Sequence, residues 1–562
     1  MSRPVGIGMQ DFEKVITENN FYVDKTLFIK EWWENKDEVT LITRPRRFGK
    51  TLTLDMVEKF FSLKYADRGD LFEGLAIWEE KEYQELQGTF PVISLSFASI
   101  KDTCFQNARR KICYLLENLY SENIFLLGSG ILTPSEEAFF KRVSADMGDA
   151  EATLALHELS KYLCRFYGKK VVILLDEYDT PMQEAYVYGY WEELAEFTRS
   201  IFNSAFKTNP DLGRAIMTGI TRVSKESIFS DLNNLEAVTI ISEKYQDSFG
   251  FTQDEVSEAL REYGLSDKEE EVRAWYDGFT FGKKTDIYNP WSIINYLDKK
   301  TFYSYWANTS SNSLVGKLIR EGSRDVKMVM EDLLKGGKLH TYIDEQMVFS
   351  LLDTRESAVW SLLLASGYLK VERFIPNEKR GKHGYDLVLT NQEVRMMFEQ
   401  MIEGWFSDFT PSYNDFIRAL LRADVKSMNA YMNKVALETI SYFDTGKKPS
   451  EAAEPEKFYH GFVLGLIVDL ADRYTVTSNR ESGFGRYDVI LEPLHSKDDA
   501  IILEFKVYDP EEEGSLKDTV KSALVQIDKM QYAASLEARG ISPERIRRYG
   551  FAFEGKKVLI GQ

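Results

Sequence analysis

Val171-Val172-Ile173-Leu174-Leu175 is an unbroken apolar run that ends in two adjacent acids, Asp176 and Glu177. A short, β-branched run without polar alternation reads as a strand buried in the middle of a sheet. In α/β proteins the C-terminal edge of such a strand is where ligands bind, so the run delivers two carboxylates to that edge. Its surroundings agree. Residues 1 to 240 alternate apolar strands with helical stretches, the pattern of a parallel sheet. The predicted strands are Val39–Thr43, Phe90–Phe97, Val171–Asp176 and Arg214–Ile220.

The first of these strands leads through Thr43 into Arg44-Pro45-Arg46-Arg47-Phe48-Gly49-Lys50-Thr51 and then a helix from Leu52. Strand, tight loop and helix form a phosphate cradle, because backbone N–H groups and the helix N-terminus together hold anionic oxygens. Lys50 would reach the β- and γ-phosphates of a nucleotide such as ATP, and the Thr51 hydroxyl would ligate magnesium. The generic G-x-x-x-x-G-K-[ST] pattern has glycine where this chain has Arg44. Arg46, Arg47, Phe48, Gly49, Lys50 and Thr51 are the nucleotide-binding candidates. Asp176 would hold the magnesium, directly or through water, and Glu177 would orient an attacking water. Without the loop, the same acids would read as a solvated turn. Arg222, just past the strand Arg214–Ile220, is a candidate γ-phosphate sensor, with a surface ion pair as the plainer reading.

A chain of 562 residues should divide into about three or four domains. Residues 250–345 read mainly helical, opening on the capping box Thr252-x-x-Glu255. Residues 355–400 read as helix (Ser357–Ser366), strand (Tyr368–Phe374), basic turn, strand (Tyr385–Leu389) and helix from Asn391, an outline compatible with a winged helix. Residues 412–445 are helical again, and 444–456 is the best linker. The net charge of −19 means that any nucleic-acid contact must use local basic patches. Two short ones exist, Lys379-Arg380-Gly381-Lys382-His383 and Arg545/Arg547/Arg548. Three cysteines without CxxC spacing suit a reducing cytosol. No basic-then-apolar leader and no run of ~20 apolar residues appears, so the expected location is cytoplasmic, with no membrane contact.

A second oddity lies near the C-terminus. Tyr487-Asp488-Val489-Ile490-Leu491 and Ile501-Ile502-Leu503-Glu504-Phe505-Lys506-Val507 are apolar strands carrying charges. Unpaired buried charge is costly, so these charges need a reason. In a hairpin Asp488 and Glu504 could share a metal ion, with Lys506 on the same face because side chains alternate. An ion pair to Lys506 on an exposed sheet face is the competing reading.

Taken together, the strings resemble the AAA-ATPase-like proteins whose C-terminal domain is similar to the PD-(D/E)XK nuclease superfamily. The resemblance spans nearly the whole chain. It rests on Phe21-Tyr22-Val23-Asp24-Lys25-Thr26, the Arg44–Thr51 loop, Leu175-Asp176-Glu177-Tyr178-Asp179 and Thr218-Gly219-Ile220-Thr221-Arg222. Trp275-Tyr276-Asp277-Gly278-Phe279 and Tyr288-Asn289-Pro290-Trp291-Ser292 extend it. Arg44 is typical of that family's loop. The resemblance implies an α/β fold: a P-loop ATPase domain (1–240), a helical lid (241–345), a winged-helix-like module (346–410), a helical connector and linker (411–453) and a restriction-endonuclease-like domain (454–562). It also implies that Asp488, Glu504 and Lys506 are catalytic, with Glu456 as a third, helix-borne acid. Asp488, Glu504 and Glu456 are hard oxygen ligands suited to Mg²⁺ or Mn²⁺. Gln526 and Tyr532, on a helix expected over Ser522–Ala538, would support them, and His460 could face the same site.

These readings describe an ATP-regulated, metal-dependent nuclease acting on nucleic acid, DNA first. A switch-like ATPase whose terminal domain binds nucleic acid or protein without cutting is the alternative. A transposase-like nuclease that uses ATP only structurally is a third. Homo-oligomerisation is compatible with the ATPase class.

Overall fold

The structure, a computed structural model, describes the chain except residues 1, 223–227, 230–231, 307–314, 317, 320–323, 344–355, 377–382, 408–412, 444–469, 471–472, 479–480, 483–484, 487–488, 496, 511–512 and 555–556. The expected linker, Glu456, His460, Asp488 and the four residues Lys379 to Lys382 therefore lie outside the described residues. The chain forms two compact units: Met1–Leu318 with Leu333–Met397, and Ile319–Asp332 with Phe398–Gln562.

The first unit is built on a five-stranded sheet: β1 (Val39–Thr43), β2 (Val92–Ser96), β3 (Val171–Asp176), β4 (Leu212–Gly219) and β5 (Leu235–Val238). Their spatial order is β2-β3-β4-β1-β5, and every pairing is parallel. β1 and β3 are buried at every position: β3 through its apolar run Val171–Leu175, and β1 with its two threonines hydrogen-bonded, Thr40 accepting from Trp32 Nε1 and Thr43 donating to the Val238 carbonyl. The C-terminal ends of β1, β3 and β4 thus come side by side, with Thr43 paired to Gly219 and Leu175 to Met217. A core of Trp32, Ile42, Val57, Phe60, Phe61 and Leu174 closes one face of the sheet.

Past this sheet the capping box holds: Thr252 and Glu255 bond reciprocally at the start of the helix Gln253–Glu262. The 250–345 region carries the helices Gln253–Glu262, Glu269–Tyr276, Pro290–Lys299 and Arg324–Leu334, and short strands lie among them. Strands Phe251–Thr252, Phe279–Phe281 and Lys284–Tyr288 form an antiparallel sheet within it. Strands of two to five residues are too short to show a period of their own, so the helical periodicity of their neighbours dominates the reading. The helix–hairpin–helix outline appears as Glu356–Ala365, Leu369–Ile375, Gly384–Leu389 and Gln392–Ser407. Leu339–Tyr342 adds a third strand beside Gly384–Leu389.

In the second unit the strands Tyr474–Ser478, Val489–Pro493, Ala500–Val507, Ile546–Glu554 and Lys557–Gly561 form a mixed sheet in sequence order. The pair Ala500–Val507 and Ile546–Glu554 is parallel, and the helix Leu516–Lys529 lies in the crossover between them. Strand alternation sorts the side chains. Leu491, Leu503, Phe505, Phe551 and Phe553 pack with Phe416, Leu420, Met428 and Met432. Ile490, Ile502 and Ile546 face Ile527, Tyr532 and Leu536. Glu504 and Lys506 share the parity of Ile502, and their contacts run to the helix Leu516–Lys529.

Candidate nucleotide and nuclease sites

The loop after β1 supplies the first cluster. Arg47 and Gly49 both take positive φ, 65° and 80°, to turn the chain into the helix Lys50–Phe61. Nothing would lie within 4 Å of a Cβ on Gly49, so glycine serves the backbone angle there and not the space. Lys50 is buried, and its Nζ donates to the carbonyls of Arg44 and Pro45, each at 3.0 Å. The Thr51 hydroxyl, at the start of the helix that follows β1, donates to Asp176 Oδ2 at the end of β3 at 2.7 Å. Thr218, on β4, donates to the other oxygen of Asp176.

Burial above all raises the carboxyl of Asp176; the Thr218 hydrogen bond opposes this and the neighbouring Glu177 charge adds to it. Burial also pushes Glu177 upward, but Lys50, the Thr180 hydroxyl, Arg46 and Lys101 together hold its carboxyl below the ordinary value. A carboxylate strained by desolvation, bonded to a threonine hydroxyl and close to a lysine, is a hard-oxygen donor set that fits magnesium. Thr51 and Asp176 would hold that ion.

The remaining loop residues point elsewhere. Arg44 is wholly buried, and desolvation lowers its guanidinium to about 9. Its nitrogens donate to the carbonyls of Thr43 (2.9 Å), Thr239 (2.8 Å), Lys244 (3.4 Å) and Tyr245 (3.3 Å), and it stacks 4.5 Å over Phe281. The arginine that replaces the generic glycine is a strut beneath the loop. Phe48 turns into the core against Phe279 and Phe281, with ring centroids 4.7 and 5.4 Å away. Arg47 stacks 4.3 Å over Trp291. Arg46 donates to Gln183 Oε1 at 3.0 Å, and its carbonyl accepts from Trp306 Nε1 (3.0 Å) and Asn289 Nδ2 (3.3 Å). Arg222 is half-buried and follows the buried Thr221 directly.

The second cluster is in the terminal sheet. Glu504 is 3 % exposed inside an apolar strand and accepts a hydrogen bond from Gln526 Nε2. The same Gln526 nitrogen lies 3.2 Å from the Tyr532 hydroxyl. Lys506 donates to Ser522 Oγ at 3.2 Å. Ser522 and Gln526 stand one turn apart on one helix face, matching the two-residue step between Glu504 and Lys506. The helix expected over Ser522–Ala538 instead runs Leu516–Lys529; Gln531 at φ 52° breaks it, so Tyr532 sits in the following turn. Asp488 and Glu456 lie outside the described residues, and the last pair of the ladder short of Glu504 is Val489 with Leu503. Among the described residues no three His, Cys, Asp or Glu side chains gather as a metal cluster.

The basic run near the C-terminus is engaged internally. Arg545 and Arg547 pair with Asp499 at 3.5 and 2.6 Å, and Arg548 with Asp528 at 3.4 Å. His383, the described end of the other basic string, lies 5.0 Å from the Phe374 ring. The sequence offered Asp179 and Thr218 only within longer strings and Ser522 only as a helix bound, with no site role for them or for Gln183 and Trp306. Asp179 carried a signal, standing three residues past Asp176 in one acidic cluster.

A parallel sheet with a Gly-Lys-Thr loop after β1 and a carboxylate at the end of β3 defines a P-loop ATPase-like domain. Residues 6–229 match the family model described as a predicted AAA-ATPase, and residues 454–562 match that of the PD-(D/E)XK nuclease superfamily. The chain therefore carries an AAA-ATPase-like domain followed by a nuclease-superfamily domain. Over 369 residues it is 26% identical to an uncharacterized protein in the vnfD 5' region of Azotobacter chroococcum mcd 1, covering 65% of this chain. The chain spans about 63% of that relative's length. Among the described residues no helix is long and apolar enough to cross a membrane.

Proposed function

We propose that this protein binds ATP with magnesium at the Lys50–Thr51–Asp176 cluster and uses it to govern metal-dependent phosphodiester cleavage of nucleic acid, DNA first, by the terminal domain. The observation that carries the reading is Glu504. A carboxylate buried in an apolar strand, met by Gln526 and set two residues from Lys506 on one face, has a cost that a metal site repays. Asp488 would complete the ligand set; in sequence it directly precedes Val489, whose partner is Leu503. Glu456 is the proposed third ligand. Mg²⁺ or Mn²⁺ bound there would polarise the scissile phosphate and acidify a water. Lys506 would steady that water and the developing charge. At the first site Lys50 would exchange the carbonyls of Arg44 and Pro45 for β- and γ-phosphate oxygens, and Glu177, held ionised, would orient water.

A second reading, a switch-like ATPase whose terminal domain binds without cutting, is favoured by one observation. The arginines 545, 547 and 548 are tied up with Asp499 and Asp528, so they offer little to a phosphate backbone. Incubating wild type, Glu504→Ala and Lys50→Ala with single- and double-stranded DNA and RNA in Mg²⁺ or Mn²⁺ separates the two. Cleavage by wild type alone, stimulated by ATP, is the expected result. Cleavage that persists in Glu504→Ala would reject the site, and indifference to both Lys50→Ala and ATP would reject the coupling.

A further inference from the structure

The helix Thr180–Tyr188 begins with a chain of polar contacts that the chemistry above leaves unused. Asp179 is fully buried, and its Oδ2 gathers the backbone N–H groups of Ile220 (3.0 Å) and Thr221 (2.8 Å), the Thr221 hydroxyl (2.8 Å) and Gln183 Nε2 (3.1 Å). Its neighbour Tyr178 donates to the Thr221 carbonyl at 2.7 Å. Gln183 in turn accepts from Arg46 in the phosphate loop at 3.0 Å. A continuous path thus runs Arg46, Gln183, Asp179, Thr221, and the next residue is Arg222.

The path has the properties of a positioning device. A buried carboxylate is tolerated only while its donors surround it, so the turn 219–221 is held to the one conformation that turns both amides inward. Gly219 makes the approach feasible, since a Cβ there would fall 2.6 Å from Asp179 Oδ1. Asp179 Oδ1 itself is buried with no hydrogen-bond partner among the described residues, so the charge leans wholly on the contacts to Oδ2. At the other end Arg46 belongs to the loop that would wrap the phosphates, so its setting is the one that ligand occupancy would alter.

We propose that Asp179 is a positioning residue that, through Thr221, presents Arg222 to the terminal phosphate of a nucleoside triphosphate, and through Gln183 links that presentation to the phosphate loop. The inference rests on reading residues 6–229 as a nucleotide-binding domain. Its signature is discrimination between triphosphate and diphosphate, which a merely structural role would not alter selectively.

Calorimetric titration of the full chain with Mg·ADP and with a slowly hydrolysed Mg·ATP analogue tests it. Wild type should prefer the triphosphate by about tenfold, the effect of one charge-assisted contact. Asp179→Asn and Thr221→Val should keep ADP affinity within about threefold while triphosphate affinity falls to the ADP level, and Thr221→Ser should restore the preference. Arg222→Ala should give the same phenotype, with no further loss when combined with Thr221→Val. If Asp179→Asn does not fold, the Thr221 pair carries the test. Equal loss of both ligands, or full discrimination in Thr221→Val, would overturn the proposal. Wild type that binds both ligands equally would overturn it while sparing nucleotide binding; wild type that binds neither would overturn the nucleotide reading as well.

Discussion

The indole Nε1 of Trp306 donates to the carbonyl of Arg46 at 3.0 Å, so the phosphate loop is held by a residue from far along the chain. Trp306 is fixed in its turn by Glu393, whose buried carboxylate accepts from the Trp306 N–H at 2.6 Å and the Ser292 hydroxyl at 2.8 Å. Trp306→Phe keeps the aromatic contacts with Phe279 and Tyr368 but removes the donor to the loop. We expect ATP affinity, read with a fluorescent analogue, to fall about three- to tenfold, the effect of one lost hydrogen bond on a pre-organised loop. An unchanged affinity would show that the loop sets itself without this contact.

That bond marks where the sequence stops being legible. Lys50, Thr51 and Asp176 could be read because strand, loop and helix are consecutive and their chemistry is local. Glu504 and Lys506 could be read because a period of two places them on one face whatever surrounds them. Trp306, Asn289 and Glu393 act on the loop through tertiary contact alone, and nothing in their own neighbourhoods points to Arg46. The hairpin Phe279–Tyr288 was hidden because its strands are shorter than a usable window, and Arg44 could be read as a departure from a motif but not as a strut.

Arg44 gives a prediction that runs against motif logic. Arg44→Gly restores the generic glycine pattern, yet it strips hydrogen bonds from the carbonyls of Thr43, Thr239, Lys244 and Tyr245 and removes the stack over Phe281. Unsatisfied buried acceptors and the void together should cost about 2–4 kcal/mol. Urea melts of the full chain should show the loss directly. A variant as stable as wild type would mean that the strut contributes nothing.

Asp277 sets a pH dependence. Burial, then the hydrogen bond and charge of Asp286, raise its carboxyl to about 6, against the Gly278 N–H and Lys370, which pull it down. Arg273 lies 3.5 Å from Asp277 and 2.9 Å from Asp286. Because the folded value lies above the unfolded one, near 3.8, the protonated form stabilises the fold. That contribution is complete below the unfolded value and is lost as pH rises through about 6. Asp277→Asn keeps a neutral group at every pH. Its melting temperature relative to wild type should therefore climb across this window and level off above it, by a few degrees. A difference that stays flat from pH 4 to 7.5 would contradict the assignment.

The last prediction concerns the edge of the terminal sheet. The strand Lys557–Gly561 is an edge, and unpaired edge amides invite other chains. Two side chains of the helix Val425–Phe443 meet it. Asn429 donates to the Ile560 carbonyl and accepts from the Ile560 N–H, both at 2.8 Å. Asn433 does the same at Val558, at 2.6 and 3.0 Å. Four residues of helix rise about 6 Å and two residues of strand about 6.8 Å, so the two steps match. Each asparagine therefore imitates one residue of a neighbouring strand. The helix precedes the segment 454–562 that matches the nuclease superfamily, yet it belongs to the same compact unit. Asn433→Ala and Asn429→Ala should each cost about 1–3 kcal/mol, the range for losing a paired set of partly buried hydrogen bonds. Hydrogen exchange followed by mass spectrometry should show the Val558 and Ile560 amides losing protection while peptides from the phosphate loop exchange as in wild type. Asn433→Asp, which keeps the acceptor but sets a carboxylate oxygen against the carbonyls of Val558 and Asn429, should lose at least as much protection as Asn433→Ala. Unchanged protection at Val558 and Ile560 in both alanine variants would show that the helix does not guard this edge.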